Sequence, residues 1–178
     1  MKTHFNITRG LFTGIGAFEN GAEFSPCRKY RYTLWRIWDD TKPFVMFIGL
    51  NPSTANETKL DNTIRSVSRI SKFNNYGGFY MVNCWAYVAT DPCDLKHDPM
   101  FDEWNNNKLS ITAGKCKDVV FAWGNFNIVK DNGRDAELKV MFPNAKAIGF
   151  NKNGSPKHPL FQKGESFLVE YNQLNQNQ

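Results

Sequence analysis

The sequence predicts an α/β fold, a three-layer α/β/α sandwich with a mainly parallel central sheet. Three observations carry the prediction. Phe44-Val45-Met46-Phe47-Ile48, Phe79-Tyr80-Met81-Val82 and Asp118-Val119-Val120-Phe121-Ala122 are apolar runs of strand length without polar alternation, the pattern of strands buried on both faces. Segments of helical character separate them, so strand and helix alternate along the chain. The 178 residues suit one domain of about 100–200 residues with a full hydrophobic core.

In chain order, residues 1–28 are polar, Gly-containing and weakly periodic, with Phe5, Phe12, Phe18 and Phe24 spaced along them. They read as an arm packed on a single domain spanning residues 1–171. Arg31 to Trp38 alternates and is rich in aromatics, a half-buried strand. Asp39 to Pro43 is a turn, and the first buried strand follows. Thr63 to Phe73 places Ile64, Val67, Ile70 and Phe73 on one helical face, and Asn74-Asn75-Tyr76-Gly77-Gly78 supplies a C-terminal cap. After the second buried strand, Asp102 to Ala113 is expected to be helical. The third buried strand comes next, then a weakly helical stretch over Ile128 to Met141 and a short strand over Ala145 to Phe150. Residues 172–178 are Asn/Gln-rich and read as a disordered tail.

Composition narrows the function classes. No stretch approaches the roughly 20 apolar residues of a membrane span, and Met1-Lys2-Thr3-His4 lacks a signal-peptide layout, so a cytoplasmic protein is expected. Cys27, Cys84, Cys93 and Cys116 form no Cys-x-x-Cys pair and read as reduced, mostly buried thiols. A zinc site from Cys84, Cys93, His97 and Cys116 has no common spacing, and neither metal nor cofactor is expected. The net charge of +5 permits a polyanionic partner without demanding one, and lysines such as Lys108, Lys130, Lys146 and Lys157 are dispersed along the chain. No phosphate-binding Gly-x-x-x-x-Gly-Lys loop, dinucleotide fingerprint or Gly-x-Ser-x-Gly elbow is present. Oligomeric state is left open.

In sheets of this kind ligands bind beyond the carboxyl ends of the strands, so the segments after the buried strands are the candidates. The first is Gly49-Leu50-Asn51-Pro52-Ser53. Pro52 stiffens the turn and pushes Asn51 from helical geometry, leaving its amide either to satisfy local backbone or to orient a water or ligand. The second is Asn83-Cys84-Trp85-Ala86-Tyr87. The Asn83 amide, with donors and an acceptor, complements the edge of a nucleobase or else bonds neighbouring backbone. The third is Trp123-Gly124-Asn125-Phe126. The fourth runs from Gly154 to Phe161 and holds His158 between Pro156 and Pro159, either as a surface-loop residue or as a donor to developing negative charge. Asp61-Asn62-Thr63-Ile64-Arg65 opens the first helix. Its free N–H groups, with Asp61, Arg65 and Arg69, are phosphate-binding candidates, the alternative being an ordinary capped and solvated helix start.

In this order, Gly49-Leu50-Asn51-Pro52, Val82-Asn83, Ala122-Trp123-Gly124 and His158-Pro159 resemble the uracil-DNA glycosylase superfamily. A longer set of segments is similar to an uncharacterised family found in bacterial and phage genomes: Asn51-Pro52-Ser53-Thr54-Ala55, Asp61 to Arg65, Tyr76-Gly77-Gly78 with Val82-Asn83, Ala89-Thr90-Asp91-Pro92, Ala122-Trp123-Gly124 and Gly154 to Leu160. That family carries no established activity. The glycosylase resemblance implies a nucleobase-directed protein that acts on DNA through a base rotated out of the helix, as an N-glycosidic-bond hydrolase or modified-base enzyme. Asn51 would position a water, His158 would donate to the base oxygen, and Asn83 would read the base edge. Tyr76 or Phe73 would stack on the base, with Gly49, Pro52, Ser53, Trp123 and Gly124 around it, backbone N–H groups around Ser53–Thr54 on a phosphate, and Leu160 or Phe161 as a wedge into DNA. The most active members of that superfamily carry Asp where this chain has Asn51, and an amide cannot act as a general base. A binder or enzyme for a free nucleotide or nucleoside, and a catalytically inactive interaction protein, are the competing expectations.

Overall fold

The computed structural model describes residues 6–10, 19–53, 62–89 and 99–172. One eight-stranded mixed sheet organises them, in the order β1-β2-β3-β5-β4-β6-β7-β8. The strands are β1 Asn6–Gly10, β2 Glu19–Phe24, β3 Arg31–Ile37, β4 Phe44–Gly49, β5 Gly78–Asn83, β6 Asp118–Phe121, β7 Lys146–Ala147 and β8 Val169–Glu170. The helices are α1 Asn62–Phe73, α2 Pro99–Ala113, α3 Asn127–Asp131 and α4 Arg134–Met141.

The apolar runs become the centre of this sheet. Val45, Met46, Phe47 and Ile48 of β4 are wholly buried, because α1 covers one face and α2, α3 and α4 cover the other. Val45, Phe47, Phe79 and Met81 pack with Ile64, Val67 and Ile70 of α1. Met46, Ile48, Val82 and Phe121 pack with Leu109, Val129 and Leu138. β5, β4, β6 and β7 pair in parallel. Their spatial order reverses between β4 and β6, a switch point where loops from both strands open a crevice.

The sheet is not mainly parallel. Four of its seven pairings are antiparallel, β1–β2, β2–β3, β3–β5 and β7–β8. The N-terminal region is correspondingly more than a packed arm, since β1 and β2 extend the sheet beyond β3 and spare it an open edge. Their sequences are polar and contain glycine, so the pairing energy lies in main-chain ladders that leave little side-chain pattern. Two further expectations change. The helical stretch over 128–141 is broken at Asn132-Gly133, where Gly133 takes φ 67°, a left-handed turn that glycine adopts without strain. The strand expected over 145–150 shortens to β7. α2 begins at Pro99, earlier than expected, in keeping with the preference of proline for a first helical turn. Asn172, placed in the tail, donates its amide to the Pro143 carbonyl, and residues 173–178 lie outside the described residues. Among the described residues no helix is long and apolar enough to cross a membrane.

At the amino end of the parallel strands, Tyr76 donates to Asp118 at 2.5 Å and Lys146 bridges Asp118 at 2.8 Å. Burial alone would raise the Asp118 carboxyl, but the Lys146 and Tyr76 hydrogen bonds outweigh it and hold the group below its ordinary 3.8. A lowered folded value means stability that is present above 3.8 and is lost as pH falls through the folded value. Acid titration of unfolding should show wild-type stability falling below about pH 4, with a shallower slope in Asp118→Asn. Equal slopes would remove Asp118 from the acid transition.

Candidate functional site

A cavity of about 200 Å³ opens at the carboxyl ends of β4 and β5. Asn51, Asn83 and His158 line it together, with Gly49 and Ser53 among their neighbours. The three come from separate loops, and a dense set of bonds holds those loops in place. The Cys84 and Trp85 N–H groups donate to the Gly49 and Leu50 carbonyls (2.8 and 3.2 Å), and Ala89 N–H donates to Pro52 O at 3.0 Å. The exit of β4 is thus zipped to the exit of β5.

Asn51 is half-buried. Its Nδ2 donates to Ala89 O at 2.7 Å and to Pro52 O at 3.1 Å. Both amide hydrogens are used on backbone, which leaves Oδ1 as the atom available to a water or ligand. Part of the plain turn role is therefore real, and it orients the remaining acceptor.

Asn83 is only 2% exposed. Among the described residues no protein group hydrogen-bonds its side-chain amide, although the residue lines the cavity. Its main chain is held firmly. Asn105 of α2, itself buried, donates Nδ2 to the carbonyls of Asn83 and Cys84 (3.0 and 3.1 Å). The buried Arg134 donates Nε to Cys84 O at 3.0 Å. Gly49 leaves the room that Asn83 needs, since a Cβ there would sit 2.9 Å from Asn83 Oδ1. The backbone is held rigidly while the amide opens onto the cavity, where a ligand or solvent can meet it.

His158 caps the short 3₁₀ turn Pro159–Phe161, its Nδ1 accepting from Leu160 N–H at 3.2 Å. An accepting Nδ1 places the proton of the neutral ring on Nε2, which makes Nε2–H a donor. The loop behind it is pinned by Lys157 N–H to Gly149 O (2.9 Å). Gly124, at φ 84°, lets the β6 exit come close, where a Cβ would stand 3.1 Å from that of His158. Gly124 thus supports the histidine from behind and is not part of the cavity wall. Pro52 is buried and serves through its carbonyl.

Other expected site residues lie elsewhere. Tyr76 sits at the opposite end of the parallel strands on Asp118, too far round the sheet to stack on a ligand here. Phe73 packs edge-on to Phe167 at 4.8 Å. Trp123 is 2% exposed and belongs to the core, against Phe121 and Tyr171. Arg65 and Arg69 are exposed on α1 outside the cavity lining, Arg69 lying along Gly164. Thr63 and Ile64 carry the start of α1 to the cavity. Thr54 and Asp61 lie outside the described residues, as do Cys93 and His97. Cys27 is exposed rather than buried, Cys84 is buried and Cys116 intermediate. Among the described residues no cluster of His, Cys, Asp or Glu is placed to hold a metal ion.

Two wall residues were given no role from sequence, although Phe126 stands in the third candidate segment. Phe126, 41% exposed, stands between this cavity and a second one beside Trp123, and brings a phenyl ring to the lining. Arg31 also lines it and is 8% exposed. A search after each strand misses Arg31, because β3 runs antiparallel to β5 and brings its first residue to the site. The helix-weak run Asn105-Asn106-Asn107 inside α2 was a usable signal for a polar anchor.

Comparison with curated proteins finds no match, and comparison with solved structures finds none either. The family described as "Protein of unknown function (DUF1643)" matches residues 31–160. That span includes Arg31, Asn51, Asn83, Phe126 and His158. The chain belongs to the DUF1643 family.

Proposed function

We propose that the cavity receives a single nucleobase, and that the protein acts on a base rotated out of DNA by hydrolysing its N-glycosidic bond or by acting on a modified base. The observation that carries this reading is the Asn83 amide, set in the cavity wall with no hydrogen-bond partner among the described residues. An amide held this way offers one acceptor and two donors in a plane, the complement of a base edge. The cavity is below the roughly 300–1,000 Å³ of sites for drug-sized ligands, which favours one heterocycle over a large substrate.

In this reading Asn51 Oδ1 orients a water toward C1′. The water oxygen bonds to C1′ as the C1′–N bond breaks. The electron pair of that bond leaves with the base, whose oxygen accepts from His158 Nε2–H. The proton lost by water completes the neutral base and leaves a sugar hydroxyl. Because Asn51 has no basic group, it positions the water without removing its proton, and slow turnover is expected. Likeness to the uracil-DNA glycosylase superfamily is part of the proposal and supports the roles of Asn51 and His158.

A free nucleotide or nucleoside is the second reading. It is favoured by the pairing of Lys108, Lys139 and Lys146 with Glu23, Asp135 and Asp118, which spends cations that a DNA track would present to phosphates. Base release separates the two. Oligonucleotides, single- and double-stranded, would carry uracil, hypoxanthine, hydroxymethyluracil or mismatches, and free nucleosides would be run beside them. Release from oligonucleotides, reduced about 100-fold or more in Asn51→Ala and His158→Ala, is the expected result. Release from nucleosides alone selects the second reading. Release from neither, by folded protein, overturns the hydrolase.

A further inference from the structure

We infer that the cavity beside Trp123 is a second subsite, which takes the nucleotide unit next to the base in the same strand, so that the ligand is a dinucleotide segment and not a lone base. The inference rests on the reading of the first cavity as a base site.

The second cavity also measures about 200 Å³, and the same two loops bound both. The exit of β6 brings Phe126 to both cavities and Asn127 to the second. The loop after β7 brings His158 to the first and Asn153 to Ser155 to the second. Bonds within that loop hold it: Asn151 Nδ2 donates to Ser155 Oγ at 3.0 Å, and Ser155 Oγ donates to Asn153 Oδ1 at 2.7 Å. The shared Phe126 ring sets the spacing. Groups packed on its two faces stand about 7–8 Å apart, against roughly 3.4 Å per nucleotide in a stacked strand. Neighbouring nucleotides reach the larger separation once one base has left the stack.

Three polar side chains of the second cavity have no partner among the described residues. Tyr171 is 5% exposed, yet its hydroxyl makes no hydrogen bond there and opens onto the cavity. Burial, with the Asp135 charge, pushes this phenol up to about 12, so it keeps its proton at neutral pH and can both donate and accept. Lys130 forms no ion pair, whereas the neighbouring Lys139 is held by Asp135 at 3.0 Å. The Asn127 amide is likewise unpaired. An ammonium group takes a phosphate oxygen. A phenol and an amide match a sugar oxygen or a base edge, and an aromatic ring gives a second base a stacking face. Together they suit a nucleotide with its phosphate.

The test titrates the full chain, by calorimetry, with three sizes of ligand: uracil, the 3′- and 5′-monophosphates of deoxyuridine, and the two dinucleotides of deoxyuridine and thymidine. A 2′-fluorine on the deoxyuridine sugar keeps the glycosidic bond intact, and a hypoxanthine series is run beside the uracil one. One of the dinucleotides should bind at least about tenfold more tightly than either monophosphate. Lys130→Gln should weaken dinucleotide binding about tenfold and Tyr171→Phe about threefold to tenfold, with the free base bound as by wild type. Tyr171→Phe keeps the ring in the core and removes one oxygen, and thermal melts confirm that both variants fold. Dinucleotides no tighter than monophosphates overturn the inference and leave a single base subsite standing. Undiminished dinucleotide binding by folded Tyr171→Phe also overturns it, because a loss in Lys130→Gln alone is an effect of surface charge. Wild type that binds no base, monophosphate or dinucleotide ends the base reading, and the inference with it.

Discussion

Asn83→Leu should bind nucleobases at least about 100-fold more weakly than wild type, yet melt within a few degrees of it. The two halves of this result have one cause. Asn83 is 2% exposed as a residue, and no hydrogen bond joins its side-chain amide to another of the described residues. The amide opens onto the cavity, so an apolar side chain of similar shape leaves no protein donor or acceptor newly unpaired and is nearly neutral for folding. Leucine has nearly the same shape, and its neighbours on the opposite side of the main chain, Asn105 and Arg134, hold carbonyls that the substitution leaves in place. A change of no more than about 1 kcal/mol corresponds to a shift of at most roughly 2–4 °C for a chain of this size. On the ligand side, two hydrogen bonds of about 1.5 kcal/mol each disappear, and 1.4 kcal/mol is tenfold in affinity. Thermal melts and titration with uracil and hypoxanthine check both halves. A variant that melts clearly lower and binds as before would make Asn83 a structural residue.

Trp123→Ala should be the opposite case, losing stability by about 3–5 kcal/mol. The ring is 2% exposed and packs at 4.8 Å from Phe121 and 6.3 Å from Tyr171, in the cluster that joins β4, β5 and β6 to α2, α3 and α4. Native domains have only about 5–15 kcal/mol in all, so the variant would stand close to unfolding at 37 °C. Its melting temperature should drop by roughly 6–20 °C. Any ligand binding it retains should return toward the wild-type value on cooling, because the defect is in the folded population. His158→Ala, at a half-buried loop, should show the reverse, near-normal melting with lost chemistry. A Trp123→Ala protein of wild-type stability and no binding would return this residue to the site.

These contrasts also mark how far the sequence could be read. β4, β5, β6 and α1 were legible to within a residue or two. Each has a pattern created by its own surroundings, apolar on both faces for the strands and a stripe of Ile64, Val67 and Ile70 for the helix. The cavity side chains Asn51, Asn83 and His158 were legible as candidates, because polar residues that follow buried strands stand where loops meet. Tyr76 and Trp123 misled, since an aromatic residue looks the same whether it faces a ligand, a carboxylate or a core. Arg31 was invisible for a directional reason, as it opens its strand rather than following it.

The sequence by itself determined the α/β class, the buried central strands, the helix that packs on them, and three residues of the cavity. Local periodicity records how much apolar contact each segment will make, and those elements are defined by such contact. Only the tertiary structure decided that half the sheet runs antiparallel and that Tyr32 bulges from β3. It alone brought Arg31 and Phe126 to the cavity that Asn83 faces. Strand direction, register and the meeting of distant side chains depend on main-chain pairing between segments far apart in sequence, and main-chain groups are the same in every residue.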